Sequence, residues 1–321
     1  MTRSARRPSA RVQRQRRLVA LGVLLLLGAI PVGLILLLGG GDVGTRAARE
    51  TRPQSADARA ELPRGGRRLL PDFRIVAYYG APQDAQLGAL GIGTPAQAVA
   101  RLERQARPYA RKGRPVLPAL ELIAVIAHGE SGATGRYSLR QRDAVIRRYL
   151  KAARRAKALL VLDIQPGRSD FFTEATRLRK WLREPDVGLA LDPEWHVQAG
   201  QMPGRVIGSV GAREVNATSA WLSQLVAKHK LPEKLFLVHQ FTPGMVPVPS
   251  LKKRDGLAMV INVDGFGGRE VKIAKYRSFA HTAKAAGFRR GFKLFYEEDT
   301  KLMKPRQVLR MPPPPDVVVY E

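Results

Sequence analysis

Residues 159–195 read LLVLDIQPGRSDFFTEATRLRKWLREPDVGLALDPEW, and the fold follows from how this stretch divides. Leu159–Ile164 and Val187–Leu191 are short runs of Val, Ile and Leu with almost no polar alternation, the pattern of strands buried on both faces. Asp170–Arg183 between them carries a helical pattern opened by an Asp suited to cap it. Strand, helix and strand in that order make one βαβ unit, whose strands run parallel.

Working outward, the same alternation recurs along the chain. Arg74–Tyr79, Val116–Ala124, Leu235–Gln240, Leu257–Val263, Phe292–Tyr296 and Asp316–Tyr320 are further strand candidates, which brings the number to eight. Helical patterns occupy Thr94–Tyr109, where a Thr cap precedes Pro95, and the basic stretch Ser138–Lys157. Two more cover Asn216–His229, entered through Asn or Thr caps, and Arg277–Ala286. Eight such units in about 250 residues match a (β/α)8 barrel in number and size. An open doubly wound sheet is the alternative, but Gly88, Gly91 and Gly93 lie too far beyond the first strand to form a dinucleotide fingerprint. The expected architecture is a (β/α)8 TIM-type barrel over residues 71–321, preceded by one transmembrane helix.

That helix is read from the N-terminus. Residues 1–17 contain seven arginines and no acid, and residues 18–38 carry no charge. A run of that length rises roughly 30 Å as a helix, the thickness of a bilayer core. The arginines before it place the N-terminus in the cytoplasm and the rest outside. Pro31 falls within the run, a position membrane helices tolerate. A cleaved signal peptide is the competing reading, against which stand the length of the run and the Gly39-Gly40-Gly41-Asp42 that follows. Residues 39–70, rich in Gly, Arg and Ala, read as a flexible linker. The expectation is a single-pass, signal-anchored envelope protein of bacterial type with an extracytoplasmic domain, secreted instead if residues 1–40 are removed.

The chain has no cysteine, so disulfides, thiolate metal sites, a cysteine nucleophile and a lipidated N-terminal cysteine are excluded. Its net charge is +28. Outside a cell, such a domain meets anionic wall polymers and lipid headgroups. The basic stretch Ser138–Lys157 falls where a barrel presents its solvated outer face, so no nucleic acid is expected.

Barrel enzymes place their chemistry at the C-terminal ends of the strands. Here those ends carry Tyr79, Glu121, Asp163 with Gln165, Asp192-Pro193-Glu194-Trp195, His239-Gln240-Phe241, Asn262-Val263-Asp264, Tyr296 with Glu298, and Glu321. Buried acids are costly unless paired or used. Acids at strand ends can also simply cap the next helix or pair with arginines, but a ring of them suggests one polar site. Asp192-x-Glu194 is the sharpest element. In an extended strand, residues i and i+2 share a face, and two neighbouring carboxylates drive their pKa values apart, as an acid beside an ionised helper requires. Glycoside cleavage uses such a pair, and Tyr79, Trp195, Phe241 and Tyr296 offer faces on which sugars stack.

Asp192-Pro193-Glu194-Trp195 resembles the strand-four D-x-E of the chalaropsis-type lysozymes (glycosyl hydrolase family twenty-five) and of the chitinase-like family eighteen, both of which act on N-acetylglucosamine polymers. The resemblance implies Glu194 as the acid and Asp192 as its helper. His239-Gln240-Phe241-Thr242 and Asn262-Val263-Asp264-Gly265-Phe266 faintly resemble late segments of the lysozyme barrel. The pattern departs from both groups. The first strand ends in Tyr78-Tyr79-Gly80 rather than in an Asp-rich segment, and Ala190 and Val187 stand where the chitinase-like motif has aspartates.

The expected function is therefore glycoside hydrolysis of a cell-wall or extracellular glycan by carboxylate acid/base chemistry. Glu194 and Asp192 are the catalytic pair, and Tyr79, Asp163, Gln165, Trp195, His239, Gln240, Asp264, Tyr296 and Glu298 bind substrate. No cofactor and no metal are expected. Asp192, Glu194 and His196 with Asp163 are the one metal set worth weighing. Ser209 lacks a nucleophile elbow, no P-loop is present, and the Asn216-Ala217-Thr218 sequon reads as a helix cap. Partners are envelope polysaccharide or peptidoglycan, and the bilayer through residues 18–38. The alternative is a catalytically inactive barrel that binds wall polysaccharide as a scaffold or sensor.

Overall fold

The computed structural model describes residues 59–321. The expected tail (1–17), transmembrane helix (18–38) and first part of the linker (39–58) lie outside the described residues. Among the described residues, no helix is long and apolar enough to cross a membrane.

Among the described residues nine strands form: β1 (Arg74–Gly80), β2 (Val116–Ala127), β3 (Ser138–Arg140), β4 (Leu159–Ile164), β5 (Val187–Leu191), β6 (Lys234–Gln240), β7 (Leu257–Val263), β8 (Arg289–Leu294) and β9 (Val317–Tyr320). All but β3 are parallel neighbours in the order β1, β2, β4, β5, β6, β7, β8, β9, and β9 pairs back onto β1. The sheet thus closes into the eight-stranded parallel barrel of a (β/α)8 TIM-like fold, and closure removes both edges. All eight strand candidates read from the sequence belong to it. β3 is an addition, an antiparallel flap on the end of β2.

The crossovers carry α1 (Pro95–Ala106), α2 (Asp143–Arg155), α3 (Phe171–Arg177), α4 (Arg179–Leu182), α5 (Ala212–Lys228), α6 (Arg269–Ala285) and α7 (Pro305–Val308). The connection from β6 to β7 has a 3-10 turn, Val248–Ser250, in place of a helix. Thr94 caps α1 through a reciprocal box with Gln97, and Pro95 occupies the first turn.

Several boundaries differ from the sequence reading for identifiable reasons. The helix expected over Ser138–Lys157 begins only at Asp143, because residues 138–140 pair with β2 and Arg140 reaches the buried Glu174 of α3 with bonds of 2.6 and 2.8 Å. α5 starts before Asn216, at a Gly211 cap. Asn216 does not cap it; its side chain ties down the loop beyond β6, donating to Ser250 O and accepting from Lys252 N. α6 likewise begins at Arg269 rather than Arg277, and β8 starts three residues before the expected Phe292–Tyr296 and ends two residues before its end.

Order also begins earlier than Pro71. Leu62, Leu69 and Leu70, within the stretch expected to be linker, are buried and join Phe73 and the inward side chains Ile75, Leu117, Leu159 and Leu235. They plug the N-terminal end of the barrel. Glu233, just before β6, holds them by accepting from the Leu69 and Leu70 amides at 2.6 and 3.1 Å. Arg67 donates to the Lys230 and Leu231 carbonyls, at 2.9 Å each.

Candidate functional site

Alternate residues of a strand face the barrel interior, and here those inward positions change character along each strand. The series are Ile75, Ala77, Tyr79 on β1; Leu117, Ala119, Glu121 on β2; Leu159, Val161, Asp163 on β4; and Gly188, Ala190, then Asp192 just beyond β5. The far half continues with Leu235, Leu237, His239 on β6; Ala258, Val260, Asn262 on β7; Gly291, Lys293 on β8; and Val317, Val319, then Glu321 just beyond β9. The lower layers are small or apolar and form one core cluster with the N-terminal plug. At the C-terminal end, every one of the eight strands delivers a polar group.

These groups form one network. Tyr79 Oη lies 3.1 Å from Asp163 Oδ2 and 3.4 Å from Asp192 Oδ2, and it accepts from Gln165 Nε2 at 2.9 Å. Gln165 in turn takes the Ala127 amide on its Oε1. Across the barrel, His239 Nδ1 lies 2.9 Å from Asp264 Oδ2 and Nε2 lies 3.0 Å from Glu121 Oε1. Lys293 bridges Asp264 at 3.2 Å and Glu321 at 2.6 Å, and its ammonium sits 3.7 Å from the centre of the Tyr79 ring. The two halves meet where His239 Nε2 stands 3.9 Å from Asp163 Oδ1.

The network is buried, and burial sets its electrostatics. Desolvation pushes Asp163 up to about 7, Glu121 adding to the rise while His239 and Lys293 oppose it. Desolvation also raises Asp192 well above the carboxylate range, with Asp163 and Asp264 contributing. Burial drives the Tyr79 phenol upward as well. Asp264 goes the other way. Burial alone would raise it, but Lys293 and His239 outweigh that and hold it ionised. For His239 and Lys293 burial favours the neutral forms; the carboxylates Asp264 and Glu121 around the first, and Asp264, Glu321 and Asp192 around the second, keep both charged. One side of the barrel therefore holds ion pairs, and the other holds two carboxyls whose pKa values burial raises.

Several acceptors in or beside the network have no hydrogen-bond partner among the described residues: Glu121 Oε2, Asp163 Oδ1, Asp192 Oδ1 and Asn262 Oδ1 within it, and Gln240 Oε1 next to it. Buried polar atoms are satisfied in the great majority of cases. A group of orphans at one strand end is the signature of a site built for something besides stability. Among the described residues, Glu121, Asp163 and His239 also form a set whose ligand atoms all lie within 4.8 Å of one another.

The residues singled out from the sequence are distributed as follows. Tyr79, Asp163, Gln165, Asp192, His239 and Asp264 meet in the network, and Gln240 is buried beside it on β6. Glu194 and Trp195 stand on the rim, half-buried in a 3-10 turn, Pro193–Trp195. This turn follows immediately on β5, so the extended-strand spacing expected for Asp192 and Glu194 does not apply: Asp192 points into the barrel and Glu194 belongs to the turn above it. Tyr296 lies outside the network. Its ring stacks on Tyr320 with centroids 5.4 Å apart, and its hydroxyl lies 3.0 Å from Tyr78 Oη and 3.2 Å from Gln105 Oε1. Glu298 is exposed on the turn after β8. His196 of the metal set weighed from the sequence turns instead towards Ser209 O, at 2.8 Å, and Glu214, at 3.8 Å.

Glu121, Asn262, Lys293 and Glu321 join the network although the sequence reading does not select them as site residues. Counting inward positions by twos along each strand finds them. Lys293 is hidden because the expected strand runs on to Tyr296, past the true end of β8 at Leu294. No family model matches the chain, and no curated protein matches it in sequence.

Proposed function

We propose that the protein is a hydrolase of an envelope glycan that works by carboxylate acid/base chemistry, anchored through residues 18–38 with its barrel outside the cytoplasm. Glu194 on the rim turn delivers the proton to the leaving oxygen, and Asp192 beneath it is the helper. Tyr79, Gln165 and Asp163 hold Asp192 in place, and Trp195 with Phe241 at the rim receives the sugar rings. The single observation that carries this reading is the shared Tyr79 hydroxyl. It joins two carboxyls from adjacent strands, both raised by burial, below a half-buried glutamate. Burial raises the pKa of the helper, so it holds its proton to higher pH than a free carboxyl, in contrast to the ionised helper expected from the sequence, and in that form it can hydrogen-bond to a substrate group that an ionised one would repel. The net charge of +28 suits a polyanionic wall.

A second reading, a barrel that binds wall polysaccharide without cleaving it, is favoured by one observation: Asp163 and Asp192 are almost wholly enclosed, at 0% and 3% exposure. Reducing-end release from purified peptidoglycan and wall polysaccharide separates the two. The full chain releases sugar, Glu194→Gln and Asp192→Asn reduce the rate by at least about 100-fold, and both variants still sediment with the wall. Absence of release from every wall preparation, with binding retained, establishes the non-catalytic barrel.

A further inference from the structure

We propose that Glu121, Asp163 and His239 form a binding site for one divalent transition-metal ion of the Zn2+ or Mn2+ class. This goes beyond the hydrolase reading, since carboxylate acid/base cleavage of a glycan needs no metal.

Three observations converge. The first is geometry. One ligand atom from each of the three residues lies within 4.8 Å of the other two, with His239 Nε2 at 3.0 Å from Glu121 Oε1 and 3.9 Å from Asp163 Oδ1. Ligands about 2.0–2.2 Å from a tetrahedral ion stand roughly 3.3–3.6 Å apart, so side-chain adjustments of up to about 1 Å close the site. The residues come from β2, β4 and β6, three strands of a closed barrel, which fixes their backbones.

The second is the unspent acceptors. Glu121 Oε2 and Asp163 Oδ1 belong to side chains 1% and 0% exposed and have no hydrogen-bond partner among the described residues. The other Asp163 oxygen is taken by Tyr79 and the other Glu121 oxygen by His239. The orphan on Asp163 faces the imidazole it would share an ion with.

The third is the supporting shell and the charge. A metal-ligating histidine commonly gives its other ring N–H to a carboxylate, which fixes the tautomer. Asp264 does this at His239 Nδ1, at 2.9 Å, and leaves Nε2 directed at Glu121 and Asp163. Asp264 is itself fixed by Lys293 and by the Gly265 amide. Five carboxylates, Glu121, Asp163, Asp192, Asp264 and Glu321, gather about two cationic side chains, His239 and Lys293, and the Lys293 charge is matched by Asp264 and Glu321. On binding, the ion takes His239 Nε2 and the Asp163 oxygen, and the protons those atoms carry leave to solvent. One nitrogen and two carboxylate oxygens, with an open fourth position, is a donor set that suits Zn2+ or Mn2+ better than Mg2+ or Ca2+.

The test uses the full chain in mild detergent, stripped with EDTA and dialysed. Zn2+ and, separately, Mn2+ are titrated by calorimetry, and bound metal per chain is counted by plasma mass spectrometry. The expected result is one ion per chain, with affinity lowered at least about tenfold by His239→Gln and by Glu121→Gln and unchanged by His229→Gln on the outer surface. Should either ligand variant lose its native circular dichroism, Asp264→Asn decides the matter. It leaves all three ligands in place and weakens binding about 10–100-fold by releasing the imidazole. No stoichiometric binding of either ion, or binding that these variants leave intact, overturns the site. The readout is metal and not sugar, so failure here leaves the glycan-hydrolase reading to its own assay.

Discussion

Replacing Asp163 by Asn should make the protein more stable at neutral and alkaline pH, although the residue lies in the middle of the candidate site. Asp163 is enclosed, and desolvation, the largest influence on it, lifts its pKa to about 7. In the unfolded chain the same carboxyl titrates near 3.9. A group whose folded pKa is the higher contributes stability that is complete below the unfolded value and is lost as pH rises through the folded one. The wild-type protein should therefore lose stability from this group between about pH 4 and pH 7. At about 1.4 kcal/mol per tenfold change in proton affinity, the full span corresponds to an upper limit of about 4 kcal/mol. The replacement amide has no proton to lose. It still presents an oxygen to the Tyr79 hydroxyl that Asp163 accepts from at 3.1 Å. Urea unfolding of both forms at pH 4, 5.5, 7 and 8 reads this residue together with the neighbours whose charges it feels, because titrating groups remote from it cancel in the difference between them. The stability of Asp163→Asn minus that of wild type should grow by about 2–4 kcal/mol from pH 4 to pH 8. A difference that stays flat, or that shrinks, would refute the claim that burial holds a proton on Asp163. The gain should come with loss of function, as a buried polar site trades stability for chemistry.

Other consequences follow from the ion pairs. Arg140→Ala strips the two-pronged partner from Glu174, which is completely buried, and should cost about 3 kcal/mol at pH 7. Glu174 has a lowered pKa, in which desolvation is outweighed by its bonds to Arg140 and Ser169. Its contribution is therefore present above the unfolded carboxylate range and fades as pH falls, so the loss in Arg140→Ala measured by thermal melts should be smaller at pH 4 than at pH 7. Glu233→Ala orphans the Leu69 and Leu70 amides and should cost about 1–3 kcal/mol, with faster amide exchange over residues 62–73 while the strand amides stay protected. Tyr79→Phe removes the hydroxyl between Asp163 and Asp192. It should lower sugar release about tenfold or more without weakening sedimentation with wall, a change in kcat rather than in binding.

The barrel is legible in the sequence because its strands are buried on both faces. Runs such as Leu159–Ile164 and Val187–Leu191 read as continuous apolar strings, and their bounds are those of β4 and β5. β8 is harder, because it opens on Arg289 and Arg290, half-exposed charged residues that resemble a loop. Two of the charges that mislead there have tertiary reasons: Arg290 pairs with the buried Asp316, and the buried Lys293 is neutralised by Asp264 and Glu321. β3 merges with a basic helix pattern because the partner of Arg140 lies far along the chain, on α3. The site is visible as a set of polar strand ends, but not as a structure. Pro193 starts a 3-10 turn, so the period-two relation between Asp192 and Glu194 stops at the end of β5. Pairings such as His239 with Glu121, 118 residues apart in sequence, depend on closure of the barrel, which no local pattern encodes.

On the proposed function, the C-terminal mouth of the barrel is where this protein meets a glycan. Hydrogen–deuterium exchange of the full chain, with and without soluble wall oligosaccharides, tests it most directly. Slowed exchange should appear in the segments that follow the strands, residues 79–83, 163–168, 192–197, 240–246 and 264–267, with the basic outer helix 143–155 unchanged. Protection confined to that helix, or to the plugged end at residues 62–73, would place glycan binding away from the mouth and overturn the proposal.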